Sequence, residues 1–282
     1  MRIDAHQHYW HPARGDYGWM PKGDPLLDRP YGPAGLAPLL AAHGVDGTVL
    51  VQAAPSVEET EYMLGIADAT PSVLGVVGWV DFERPEHRGH LERLRRHPKF
   101  LGVRPMIQDI PDPDWMLGAG LAWALDALAD LDLTFDALGF PQHLQYFRIL
   151  LKRHPRLRVV IDHCLKPRIR DHPAGFGAWC DGMRALAEET DAHVKLSGLV
   201  TEAAADWTPA DLVPYAAHVL AIFGPERVMW GSDWPVCLLR AEYGRWLAAA
   251  EELTRDLGPE AQAAIFGRTA SRFYRLAAAS PG

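Results

Sequence analysis

The chain has 282 residues, 48% hydrophobic and 23% charged, the balance of a folded globular protein that buries about three quarters of its unfolded surface. A net charge of −8 with dispersed arginines offers no basic track for nucleic acid and no attraction to an anionic membrane. Three widely spaced cysteines (Cys164, Cys180, Cys237) form neither a disulfide framework nor a CxxC pair; with no signal-peptide pattern and no apolar run of about 18 residues, they predict a cytoplasmic protein.

Eight β-rich runs follow one another along the chain, at residues 2–8, 47–53, 73–80, 100–106, 133–139, 158–164, 193–199 and 227–234. Several are continuously apolar, as parallel strands are when helices cover one face and a packed interior the other. The intervening segments, such as PAGLAPLLAAHG, SVEETEYMLGIADAT and PQHLQYFRILLKRHP, carry apolar residues at three and four spacing. Ser56, Thr208 and Pro209 mark helix starts, and Gly44 and Gly224 mark helix ends. Strict alternation without a linker predicts an α/β fold, a (β/α)8 TIM barrel with C-terminal helices, formed as one domain over 1–282. A doubly wound open sheet is the structural alternative, but its GxGxxG turn is missing. The Pro- and Gly-rich stretch at 10–33 follows the first strand and predicts a lid over the barrel mouth, since Trp10, Tyr17, Trp19 and Tyr31 are many aromatics for solvent alone. An alanine-rich tail ends the chain.

In such barrels reactive groups gather where strands end. His6 and His8 end the first strand, Gln52 the second, Trp79 and Asp81 the third, Arg104 the fourth and Asp136 the fifth; then come Asp162 and His163, Lys195 and Ser197, and Ser232 and Asp233. Residues two apart on a strand share a face, so His6 and His8 can both look at the barrel axis, as two ligands of a divalent metal or two groups aimed at a carbonyl. Asp233, in MWGSDWP, can take a proton from water or ligate a metal. A helix-capping aspartate or a core histidine would explain Asp233 or His163 singly; the coincidence of both with the HxH pair points to a site. Arg104 can hold a carboxylate or polarise an ester carbonyl, and His143 and Lys166 lie where they can line the mouth.

The stretches DAHQHYW, GVR, IDHCLKP, KLSGL, GSDWPV and IFGRTASRFYRL together resemble the amidohydrolase superfamily, and within it the lactonase branch, from residue 2 to about 276. The resemblance implies a hydrolase that opens a sugar-derived (aldono) lactone to its hydroxy acid. Asp233 would activate water, while His6, His8, Arg104 or one metal polarises the carbonyl and His163 helps return the proton. Trp19, Gln52, Asp81, His143 and Lys166 would contact the substrate. Two-metal members carry a bridging lysine or glutamate on strand four and a histidine on strand five; this chain has Arg104 and FDALG there, so at most one ion, zinc or manganese, is implied, at His6, His8 and Asp233, and a metal-independent site is the other option. The implied partner is a small-molecule lactone, with no nucleic acid or membrane, and a homo-oligomer is left open. A metal-dependent decarboxylase of the same superfamily is the alternative, and a non-catalytic carbohydrate-binding barrel a more distant one.

Overall fold

Residues 1–276 are described by the computed structural model; the alanine-rich tail from 277 lies outside the described residues. The apolar runs become short parallel strands, β1 (Ile3–Gln7), β2 (Gly47–Val51), β3 (Val73–Gly78), β4 (Phe100–Val103), β5 (Thr134–Ala137), β6 (Arg158–Ile161), β7 (His193–Leu196) and β8 (Val228–Trp230), hydrogen-bonded in chain order. The crossovers carry α1 (Pro33–His43), α2 (Val57–Ala69), α3 (Arg88–Leu94), α4 (Ala122–Asp130), α5 (Leu144–Arg153), α6 (Phe176–Glu189), a short α7 (Leu199–Glu202) and α8 (Pro209–Phe223). After β8 come α9 (Tyr243–Thr254), α10 (Pro259–Ala263) and α11 (Thr269–Tyr274). This is the (β/α)8 barrel that the alternation of elements predicts. Among the described residues no helix is long and apolar enough to cross a membrane.

Two apolar layers hold it. Ile3, Ala5, Val49, Val51, Val77, Val160 and Met229 fill the barrel floor, which Phe273 and Tyr274 of α11 close from below. A larger layer lies between strands and helices. The strands are shorter than the apolar runs, because residues beyond them leave the sheet to build the mouth. Ser56 caps α2 by accepting from the Glu59 amide, 3.1 Å, and Gly44 and Gly224 end α1 and α8 with positive φ.

The sheet closes at the seam between its first and last strands. Gln7 bridges Trp234 in parallel; the Asp233 amide donates to the His6 carbonyl, 2.8 Å, and the His8 amide to the Trp234 carbonyl, 2.7 Å. The register of β1 on β2 shifts between Asp4 and Gln7, so Asp4 does not follow His6 and His8 toward the axis. Its buried carboxylate turns to the helix side, accepting from the amides of His6 (3.2 Å) and Ser232 (2.8 Å) and the hydroxyl of Tyr243 (3.2 Å). Removing a buried acceptor with three donors strands all of them. We expect Asp4→Ala to lose about 3 kcal/mol of stability, a fall in Tm of roughly 6 °C or more by calorimetry; an unchanged Tm would show that Asp4 does not hold the seam.

Candidate active site

A pocket of about 180 Å3 opens at the C-terminal ends of the strands, walled by His8, Arg104, His163, Lys166 and Asp233 and roofed by Trp10 and Trp19. His6 lies fully buried at its base. Nε2 of His6 and Nε2 of His8 are 3.1 Å apart, and Oδ1 of Asp233 is 3.3 Å from His8, 3.8 Å from His6 and 3.9 Å from Nε2 of His163. Both histidines of the HxH pair therefore face the axis.

Partners assign the tautomer of His8. Nδ1 of His8 must donate to the Val51 carbonyl at 2.7 Å, since a carbonyl only accepts, so its Nε2 carries a lone pair into the site. Nδ1 of His6 is 3.0 Å from the Lys195 ammonium, which only donates, while Nε2 of His6 lies 3.1 Å from His8 and 3.4 Å from the Arg104 guanidinium, a second obligate donor, so each ring nitrogen faces a donor that favours a lone pair on it. Asp162 Oδ1, 3.4 Å from Nδ1 of His6, is a competing acceptor for a proton on that nitrogen. Lys195 is itself fully buried, donating to Asp136 (2.6 Å) and ion-paired with Asp162 (3.0 Å). Arg104, 3.5 Å from Asp162, places its other arm on the carbonyl (2.5 Å) and side-chain oxygen (3.1 Å) of Gln52.

Burial lowers the pKa of His6, His8 and His163 and keeps all three imidazoles neutral. Burial alone would raise the Asp233 carboxyl, but the positive charge that His163, His8 and Lys166 can place beside it holds it below the ordinary range; with the imidazoles neutral, the Lys166 ammonium is the cation that remains. Asp162 is likewise held well below that range against its own burial by Lys195 and His6. Burial pushes the Cys164 thiol up to about 12, which leaves no thiolate nucleophile there.

His163 does not end β6 as the apolar run suggests. It opens a left-handed turn in which His163, Cys164, Leu165 and Lys166 have φ of 55°, 51°, 55° and 50°. Each such residue costs of order 1–2 kcal/mol, so the surroundings must over-determine the turn. The Trp179 indole donates to the Cys164 carbonyl (2.9 Å), the Lys166 amide to the His163 carbonyl (2.8 Å), and Ser197 Oγ meets Nδ1 of His163 at 2.8 Å. The turn sends His163 and Lys166 to the same pocket, where Nζ of Lys166 donates to Gln108 at 2.5 Å.

The stretch at 10–33 folds down over the mouth. Trp10 and Tyr31 pair through both amides (3.0 and 2.9 Å), and the Trp19 indole donates to the Ala53 carbonyl at 2.6 Å. Glu59, whose buried carboxyl is pushed up to about 8 by burial, receives the amides of Ala53 and Ala54 and steadies the loop on which Trp19 rests.

Of the residues singled out in the sequence, His6, His8, Arg104, His163, Lys166, Asp233 and Trp19 gather around this pocket. Gln52 stands behind Arg104 rather than on the wall, its amide also donating to the Arg104 carbonyl at 2.8 Å. His143 is buried against the Phe140 amide (2.9 Å), off the wall. Asp81 lines a neighbouring cleft. No role was assigned in the sequence to Lys195, Asp136 and Asp162, although each interrupts an apolar strand run, which was the available signal.

His6, His8 and Asp233 converge closely enough to hold one ion. Two imidazole nitrogens and a carboxylate suit a tetrahedral divalent metal with an open position, and the Val51 carbonyl behind His8 is the backing such a ligand needs. A second grouping, His6, Asp162 and His163, shares His6 with the first and uses a carboxylate already paired with Lys195.

A family model described as amidohydrolase matches residues 3–276. The chain is 45% identical over 280 residues to an L-fucono-1,5-lactonase of Burkholderia ambifaria, covering 98% of this chain and 96% of that one. It is 34% identical over 293 residues to an L-fucono-1,5-lactonase of Burkholderia multivorans, covering 98% and 96%. A crystal structure of an amidohydrolase from Burkholderia multivorans with bound zinc superposes with a TM-score of 0.93 at 33% identity, covering 98% of this chain and all of that one.

Gly198, at φ +66°, lies against His163, and a Cβ there would come 2.7 Å from the Cβ of His163. We expect Gly198→Ala to displace the imidazole and lower kcat by roughly a hundredfold, with Tm reduced by only a few degrees. Full activity in a folded variant would mean that the position of His163 is not critical.

Proposed function

The chain belongs to the amidohydrolase family, and from that premise we propose that its single barrel domain hydrolyses an aldono lactone of the L-fucono-1,5-lactone class to the hydroxy acid. The observation that carries this reading is one ionised carboxylate, Asp233, facing three neutral imidazoles in a small pocket the size of a single sugar ring. The names of both lactonase relatives support a lactone over the carboxylic acid of a decarboxylase.

Asp233 takes the proton of a water molecule set against it, and the hydroxide adds to the ring carbonyl. The Arg104 guanidinium, anchored by Gln52 and aimed into the pocket, stabilises the oxyanion. The ring oxygen leaves with the proton that Asp233 took from the water; His163, being neutral, can only relay that proton and is not its source. Lys166, beside the same pocket, holds a hydroxyl or the nascent carboxylate. Trp10 and Trp19 exclude bulk water and pack on the apolar face of the ring. A zinc or manganese ion bound by His6, His8 and Asp233 would act as a Lewis acid on the carbonyl and lower the pKa of water. Three free cysteines support a reducing, cytoplasmic setting.

With the substrate set as a panel of aldono lactones and a pH indicator as readout, Asp233→Asn should lose about a thousandfold in kcat with the fold intact; near-normal turnover would remove Asp233 from the chemistry. Because the imidazoles are already neutral and Asp233 is ionised, wild-type kcat/KM should stay flat through the histidine range near pH 6.5 and fall only in more acid solution. Metal analysis of the purified protein should return no more than one ion per chain, displaced by His8→Ala; two tightly held ions would overturn the single-site assignment.

A further inference from the structure

A second cleft, of about 690 Å3, lies beside the catalytic pocket and shares Trp19 and Met106 with it. We propose that this cleft is a second carbohydrate subsite, which takes an uncharged glycosyl unit attached to the lactone whose ring fills the catalytic pocket. The proposal rests on the lactonase reading and extends it to substituted, disaccharide-derived lactones.

Size sets the first condition. At 180 Å3 the catalytic pocket is smaller than the usual range of about 300–1,000 Å3 for organic ligands, whereas the cleft falls inside it. One ring fits the first, and a substituent on that ring has only the shared wall of Trp19 and Met106 to cross.

Chemistry sets the second. Trp79, Phe82 and Trp115 line the cleft, with Phe82 and Trp115 stacked at 6.2 Å and 25° between planes. The Trp115 indole donates to Glu83 at 2.7 Å, which fixes the ring plane. Such fixed amphipathic faces suit the apolar face of a sugar. Asp16, Asp81, Glu83 and Asp109 line the same cleft, acceptors for hydroxyl groups. No lysine, arginine or histidine lines it among the described residues; Asp16 and Asp81 are paired from behind with Arg14 at 2.7 Å and Arg84 at 3.3 Å, so it is Glu83 and Asp109 that disfavour a carboxylate or phosphate there. The cationic side chains that line either pocket, Arg104 and Lys166, are on the catalytic side. This polarity orients a neutral glycosyl-lactone with its carbonyl toward Arg104 and its second ring among the carboxylates, and it disfavours the cleft as a resting place for the acid product.

The test uses the full-length protein, the monosaccharide lactone it hydrolyses best, and O-hexosyl derivatives of that lactone. The wild type should turn over at least one derivative with kcat/KM no lower than for the parent. Trp115→Ala, and separately the exposed Asp109→Ala in case the first variant folds poorly, should lower kcat/KM about tenfold for the derivative while leaving the parent lactone unchanged. Failure of every derivative in the wild type, or equal losses on both substrates, would overturn the subsite. Failure of the parent lactone would instead overturn the lactonase reading.

Discussion

The seam between the first and last strands sets the geometry of the site. Two backbone hydrogen bonds, Asp233 to His6 and His8 to Trp234, join the tips of the two strands, so the carboxylate and the imidazole pair are neighbours because the sheet must close there. Side-chain rotamers only refine a distance the backbone has set. The closure has a local cost: Asp233 sits at φ 57°, a region that a non-glycine residue avoids. Gly231 allows it, since a Cβ there would lie 2.7 Å from the Cβ of His6. Asp4 completes the seam from behind, its carboxylate taking the Ser232 and His6 amides that the departing strand ends would leave unpaired.

Above the apolar floor, the barrel interior is a layer of charge. Lys195, Asp136 and Asp162 are all without solvent exposure, and Tyr274 donates to Asp136 at 2.6 Å from the helix that closes the floor. Desolvating such groups costs several kcal/mol each, and their mutual attraction offsets that only when the geometry is good. As a stability device the layer is therefore poor value beside packed leucine and valine. Its consequence is positional: Lys195 and Asp162 hold Nδ1 of His6 between a donor and an acceptor, and the Asp162 carboxylate also lies 3.5 Å from Arg104.

Much of this was legible in the sequence. Alternating apolar runs and three-and-four spacing dictate strand and helix because each buries one face, and eight such pairs leave little choice but a closed barrel. His6, His8 and Asp233 were legible because strand periodicity and the strand-end rule act on residues close to their own element. Gln52 and His143 were harder. Whether a strand-end side chain reaches the cavity or stands behind a neighbour depends on Arg104 in one case and on the Phe140 turn in the other, both long-range or loop effects. The run VVIDHC reads as strand throughout, yet its last residues form a left-handed turn imposed by Trp179 and Gly198, which lie 15 and 34 residues from Cys164 and later in the chain. The Lys195 network was invisible as a network because its members come from β5, β7 and the turn that follows β6, segments far apart in the chain that lie side by side only once these strands pair in the sheet.

The arrangement around His6 gives one ring two proton positions with different consequences for the site. Nδ1 of His6 faces a donor, Lys195, and an acceptor, Asp162, at 3.0 and 3.4 Å. With Lys195 donating, Nε2 of His6 keeps its proton and hydrogen-bonds His8, and the pocket presents a carboxylate base and a guanidinium. With Nδ1 donating to Asp162 instead, both Nε2 lone pairs face Asp233, the donor set of a mononuclear ion. The two states differ by one proton position on one ring, so no backbone movement separates them. In each, Asp233 stays ionised among neutral imidazoles, in a pocket that Trp10 and Trp19 line with it.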